Sequence, residues 1–180
     1  MIARIALLLA VAAAPLPSDS ILQLEDRFTA QDGSSFTLVQ RRGQPQLITM
    51  FYTSCKYVCP LVIDSVRALE SSLSEGERAK LKVLLVSIDP KRDTPEALLG
   101  VAKQRHLDLG RWTLARAEGS AVRKLAGLLG IRYREREDGE LTHTPMLVLL
   151  DPEGRVLARS EKLGVEPDAE FLEKLRAALH

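Results

Sequence analysis

Apolar and polar residues alternate in two rhythms in this sequence. The continuous apolar run at 83–88 predicts a strand covered on both faces, and 47–53 and 146–150 are expected to be strands as well. From Leu61 the rhythm changes. Val62, Val66, Leu69 and Leu73 recur at i, i+4, i+7 and i+11, one face of a helix with Pro60 in its first turn. Thr94-Pro95-Glu96 predicts a helix start with Thr94 as N-cap, and that helix is expected to end near His106. Val122, Leu125, Ala126 and Leu129 mark another, closed by Gly130. Pro167 opens a last helix carrying Phe171, Leu172, Leu175 and Leu179. Shorter strands are expected at 35–39 after an Asp32-Gly33 turn, at 112–115, and at 155–159 beyond the turn Asp151-Pro152-Glu153-Gly154. Asp138-Gly139, between 131–136 and 140–142, signals a hairpin.

Strands alternating with helices imply an α/β fold with a central, mostly parallel sheet. Strand, cysteine pair, helix and a late strand entered through proline make the thioredoxin-like order. The expected architecture is a central mixed sheet flanked by helices, with an extra N-terminal strand and a late β-hairpin. In such folds active groups gather beyond the carboxyl ends of the strands. Cys55 and Cys59 follow 47–53 directly and so fall at such an end.

At 180 residues the chain is long enough for one domain with a real core. Arg4 followed by the apolar stretch 5–14 reads as an export signal or an N-terminal anchor over 1–19, ahead of a single domain at 20–180. The apolar stretch is shorter than the ~20 residues that span a bilayer comfortably. A net charge of +1 and 4% aromatic residues argue against a nucleic-acid binder. Export places both cysteines in an oxidising compartment, periplasmic or on the outer face of the inner membrane, where an unprotected pair tends to close.

Cys55 and Cys59 are the two cysteines of the chain. Their spacing permits a disulfide and equally permits two thiolates on one ion. A helix beginning at Pro60 favours the thiolate form at its N-terminus. His143, before Thr144-Pro145-Met146 at the entry to a strand, is a third candidate ligand. Thioredoxin-like folds set a cis-proline loop against the cysteines, so a cis Thr144–Pro145 bond is expected. Two thiolates and an imidazole form a soft site that suits Cu(I), also holds Cu(II), and is acceptable to zinc. Without metal the same pair reads as a thiol–disulfide oxidoreductase, with Cys55 the more exposed attacker. A peroxidase fits less well, because Tyr52 rather than a threonine stands three residues before Cys55. His106 and His180 sit at a charged helix end and at the terminus, and Met50 and Met146 lie inside apolar runs that read as core.

The segment from Phe51 through Cys55-Lys56-Tyr57-Val58-Cys59-Pro60, the segment from Val86 through Asp89 and Asp93 to Pro95, and His143 placed eight residues before Asp151 together resemble the SCO/SenC copper-chaperone family. Trp112, the region 122–130 and Tyr133 fit the intervening stretch. The resemblance implies copper bound by Cys55, Cys59 and His143. It implies a role in maturing the copper centre of cytochrome c oxidase, with the copper-bearing subunit or another copper chaperone as partner, and an exported protein with a membrane tether through its N-terminus. Asp89 and Asp93 are candidates for tuning the site from behind the ligands; equally, an Asp-Pro turn before a helix is a capping pattern. Lys56 stands where many members have proline, and Thr142 where an acidic residue is common. These departures leave room for redox work with weaker copper affinity.

Overall fold

The computed structural model describes residues 14–55, 58–137 and 139–180. Most of the expected export segment, together with Lys56, Tyr57 and Asp138, lies outside the described residues. Nine strands and five α-helices follow in chain order among them: β1 (Arg27–Ala30), β2 (Ser35–Thr37), β3 (Gln46–Phe51), α1 (Val58–Ser71), α2 (Glu75–Lys80), β4 (Lys82–Ser87), α3 (Pro95–Gln104), β5 (Trp112–Ala117), α4 (Gly119–Leu129), β6 (Tyr133–Glu135), β7 (Leu141–His143), β8 (Leu147–Leu150), β9 (Val156–Ser160) and α5 (Ala169–Leu179). Seven strands form one sheet in the order β2-β1-β5-β4-β3-β8-β9, and β6 and β7 form a separate ribbon. The centre, β3-β4-β5, is parallel; both flanks are antiparallel. This is the expected α/β fold with a mixed sheet.

Local chemistry explains most boundaries. Thr94 Oγ1 accepts from Ala97 N at 3.3 Å, and Pro95 takes the first position of α3. Gly130, at φ 78°, closes α4 in the left-handed conformation that glycine adopts without strain. Every residue of β3 is buried, as is β4 from Val83 to Ser87, so these strands are covered on both faces and read as apolar runs. The buried face of α1 carries Val62, Val66 and Leu69, and Leu73 continues it just past the helix end.

Some elements depart from expectation. The N-terminal strand is a hairpin, β1 and β2, and β1 joins the sheet through β5. β1 is four residues long, too short for alternation to reveal it. The expected strand at 35–39 stops at Thr37, because Gln40 Oε1 accepts from Thr37 N at 2.8 Å and turns Leu38–Arg41 into a 3-10 helix. The short helix α2 buries no residue, so it shows no apolar period. Its sequence signal is the capping box Ser74-x-x-Glu77. The last helix begins at Ala169, two residues beyond Pro167. Among the described residues no helix is long and apolar enough to cross a membrane.

The turn into β9 holds the N-terminal segment. Ile21 N donates to the Gly154 carbonyl at 3.0 Å. Gly154 has φ 81°, and a Cβ there would lie 2.3 Å from Leu22 Cγ and 2.7 Å from Ser20 Oγ. Gly154→Ala is therefore expected to cost about 2 kcal/mol through backbone strain and overpacking, read as a lower midpoint in thermal or urea unfolding.

Candidate metal and dithiol centre

β3 ends at Phe51, and the loop that follows carries Cys55 to the start of α1. Cys59 is the second residue of that helix and is 3% exposed, whereas Cys55 is half-buried. The pair is not joined by a disulfide. Cys59 N donates to Cys55 Sγ at 3.3 Å, and Tyr52 N donates to Cys59 Sγ at 3.4 Å. A residue before proline is disfavoured in a helix, yet Cys59 lies inside the first turn rather than at the boundary. There its backbone N–H finds the Cys55 sulfur as partner.

The ribbon β6-β7 brings in the imidazole. His143 ends β7 opposite Tyr133, and its Nε2 lies 3.8 Å from Cys59 Sγ. Its Nδ1 is 3.2 Å from the Thr144 carbonyl. A carbonyl only accepts, so Nδ1 carries the proton and Nε2 turns a lone pair towards the sulfur. Burial holds the His143 pKa below its ordinary value, partly offset by that backbone contact; the ring is the neutral form that binds metals. Two donors about 2.3 Å (sulfur) and 2.0 Å (nitrogen) from one ion sit roughly 3.8 Å apart at a trigonal angle. The observed separation matches that span. Among the described residues, no three His, Cys, Asp or Glu side chains are already gathered about one ion-sized point.

Tyr52, which enters the sequence reading only as a mismatch to a peroxidase motif, holds the ribbon over the cysteines. Its hydroxyl donates to the Leu141 carbonyl at 2.6 Å, and its ring meets His143 edge-on with centroids 6.2 Å apart. The available signal was position: an aromatic residue with a polar tip directly after a buried strand and three residues before Cys55. Burial first, then the neighbouring Cys55, raises the Tyr52 pKa, so the phenol stays a donor.

Asp93 is fully buried. It accepts from Thr53 N at 3.1 Å and from the hydroxyls of Thr53 and Ser87. It thus ties the loop before Cys55 to the end of β4. Among the described residues, Asp89 accepts no hydrogen bond from the cysteine loop. Its backbone N donates to Ser87 Oγ at 2.9 Å, and its carboxylate lies 3.1 Å from Arg92, which in turn donates to the Gly139 carbonyl of the ribbon at 3.1 Å. Both aspartates act as braces behind the site.

Two expectations fail. The Thr144–Pro145 bond is trans: among the described residues there is no cis peptide. Thr144 N donates to the Arg132 carbonyl at 2.8 Å, and the Met146 carbonyl accepts from Thr49 Oγ1 at 2.7 Å. The extended ribbon runs straight on into β8 through the favoured isomer. The helix start does not favour the Cys59 thiolate either. Burial drives its pKa up, the neighbouring Cys55 and Asp93 add to the rise, and the Tyr52 N–H only partly offsets them. Desolvation outweighs the helix end at this depth. Beside the thiols lies a groove of about 280 Å³, lined by Phe51, Tyr52, Ile63, Val101 and Arg105 as well as both cysteines.

A sheet of this topology with a dithiol at the head of its first long helix, and an imidazole turned onto the inner sulfur, defines a thioredoxin-like protein with a cysteine–histidine centre. The chain belongs to the SCO1/SenC family, whose family model matches residues 19–180. The SCO1 protein homolog of Bacillus subtilis (strain 168) is 25% identical over 136 residues, covering 72% of this chain and 68% of that protein. Matched regions span between 37% and 68% of the curated relatives' own lengths. Bradyrhizobium japonicum ScoI, solved with copper bound, superposes with a TM-score of 0.65 at 24% identity, over 86% of this chain and 94% of that one. BsSco, a member of the Sco family of cytochrome c oxidase assembly proteins in which a disulfide switch was identified, gives a TM-score of 0.71 at 23% identity, over 85% and 90%. Copper binding and oxidase assembly are thus properties found within this family.

Proposed function

We propose that this protein is a copper metallochaperone. It holds one copper ion between Cys55, Cys59 and His143 and delivers it to the copper-bearing subunit of cytochrome c oxidase, directly or through another copper chaperone. The observation that carries this reading is the 3.8 Å approach of His143 Nε2 to Cys59 Sγ, with a neutral imidazole whose free lone pair faces the sulfur. Cys55 completes the set as a second thiolate from the more exposed side, where a partner's ligands exchange for it. Two soft thiolates favour copper over zinc, and the imidazole extends the site to Cu(II). Export through the N-terminal segment would put the protein in the compartment where that oxidase subunit exposes its copper site.

Titrating the reduced protein with Cu(I) against a competing chelator is the test. One equivalent is expected to bind, and Cys55→Ser and Cys59→Ser should each abolish stoichiometric uptake. Equal uptake by both variants and the wild type would end the proposal. The pH dependence has a definite sign. The raised Cys59 pKa means that this thiol is protonated at neutral pH and that binding expels its proton. Apparent affinity should therefore rise by about tenfold per pH unit from this thiol alone between pH 6.5 and 8.

A second reading, thiol–disulfide exchange by the same pair, is favoured by the groove beside Cys55, the more accessible of the two thiols, and by the disulfide switch known for BsSco. The two activities require the same reduced dithiol and are compatible in one protein.

A further inference from the structure

At the other end of the sheet, where β3, β4 and β5 begin, a second pocket opens, of about 290 Å³. The length of β3 separates it from the cysteines, about 17 Å at the usual rise per residue. Four cations line it: Arg41, Arg42, Lys82 and Arg111; no carboxylate does. The acids that balance two of them lie outside its lining. Glu153 pairs with Arg42 at 2.6 Å, and Glu70 and Asp108 hold Arg111. Lys82 Nζ donates to the Gly110 carbonyl at 2.9 Å.

Arg41 is the group left over. Its Nε donates to Gln46 Oε1 at 2.6 Å and its Nη1 to Thr113 Oγ1 at 3.1 Å, both neutral acceptors. Its guanidinium carbon stands 5.7 Å from the centre of the Phe36 ring. Burial, with no acid to offset it, pulls its pKa down to about 10, so it remains a cation at neutral pH while desolvated. A half-buried, desolvated cation without a counter-charge is costly. A guanidinium held by Nε and one Nη against neutral oxygens keeps its second Nη for an external acceptor. Planar, forked donors of this kind match the oxygens of a phosphate.

We propose that this pocket binds a phosphate-class anion, seated on Arg41 and flanked by Lys82, Arg42 and Arg111. Its position suggests the source. Arg42 Nη1 also donates to the carbonyl of Ala14, the last residue of the apolar stretch 5–14, so the described chain begins at the rim of this pocket. If that stretch stays as an anchor, the pocket faces the bilayer, and the anion is the headgroup of an anionic phospholipid. The copper centre then points away from the membrane, towards a partner's exposed domain. The pocket itself does not depend on the copper reading.

The full chain should be floated with phosphatidylcholine vesicles with and without phosphatidylglycerol, and titrated separately with inorganic phosphate by calorimetry at constant ionic strength. Phosphatidylglycerol is expected to raise wild-type binding, and Arg41→Gln and Lys82→Gln should each reduce that increment about fivefold with binding to neutral vesicles unchanged. A response to inorganic phosphate that both variants lose, with no lipid effect, would keep the site and assign it a soluble anion. Variants that match the wild type in both arms would overturn the proposal. Cu(I) uptake at the far end of the sheet reports that each variant is folded; should Arg41→Gln fail this check, Arg41→Lys and Lys82→Gln carry the comparison.

Discussion

Replacing His143 by alanine is expected to weaken Cu(I) binding by two to three orders of magnitude. A four-ligand structural zinc site is worth ~10–16 kcal/mol, so one ligand carries about 2.5–4 kcal/mol, which is roughly two to three decades in affinity. The imidazole is the one neutral ligand of the proposed set, and its Nε2 is already turned to Cys59. It therefore adds affinity without a proton to expel. The fold should tolerate the change, because the ribbon is held by the Tyr52 hydroxyl on the Leu141 carbonyl and by Arg92 on the Gly139 carbonyl, not by the ring. Chelator competition measures the loss. The same variant separates the two proposed activities, since thiol–disulfide exchange needs both sulfurs and not the ring. Full copper affinity in His143→Ala would leave the protein a dithiol whose histidine is incidental.

Asp93→Ala is expected to lower stability by roughly 3–4 kcal/mol, because it strands the Thr53 N–H and two hydroxyls that a buried carboxylate now satisfies. For a chain of this length that is a fall in unfolding midpoint of roughly 10 °C. Asp93→Asn keeps one acceptor oxygen and should lose about half as much. Copper uptake adds a second readout. The loop that Asp93 fastens to β4 leads directly into Cys55, so freeing it should weaken copper binding, whereas Gly154→Ala, destabilising but remote from the cysteines, should leave it unchanged. Equal copper affinities in these two variants would reduce Asp93 to a purely structural residue.

The parts of this protein that were legible in its sequence are those whose causes lie within a few residues. Thr94 and Pro95 announce α3 because a cap and a missing N–H act on the next turn. Gly130 ends α4 because its own backbone reaches a positive φ without strain. The apolar run at 83–88 declares a covered strand because burial on both faces leaves no polar register. The C-x3-C spacing set two sulfurs at the head of a helix, and the shared motifs pointed to copper. Elements without an apolar period stayed hidden: β1 is too short, and α2 buries nothing.

Other features depend on which distant segments cover one another. His143 and Cys59 are 84 residues apart in sequence, and they approach because Tyr52 and Arg92 fasten the ribbon over the cysteine loop. The acidity of Cys59 went the other way from the helix-end argument, since desolvation grows with every neighbour packed over the sulfur and no local window counts them. Asp89 and Asp93 look alike four residues apart. One reaches Arg92 and the other Thr53, and so they brace different parts of the site. Arg41 reads as one more surface cation until Gln46 and Thr113 close around it. Short-range propensity is a property of the chain; burial, and with it charge, acidity and ligand geometry, belongs to the packed molecule.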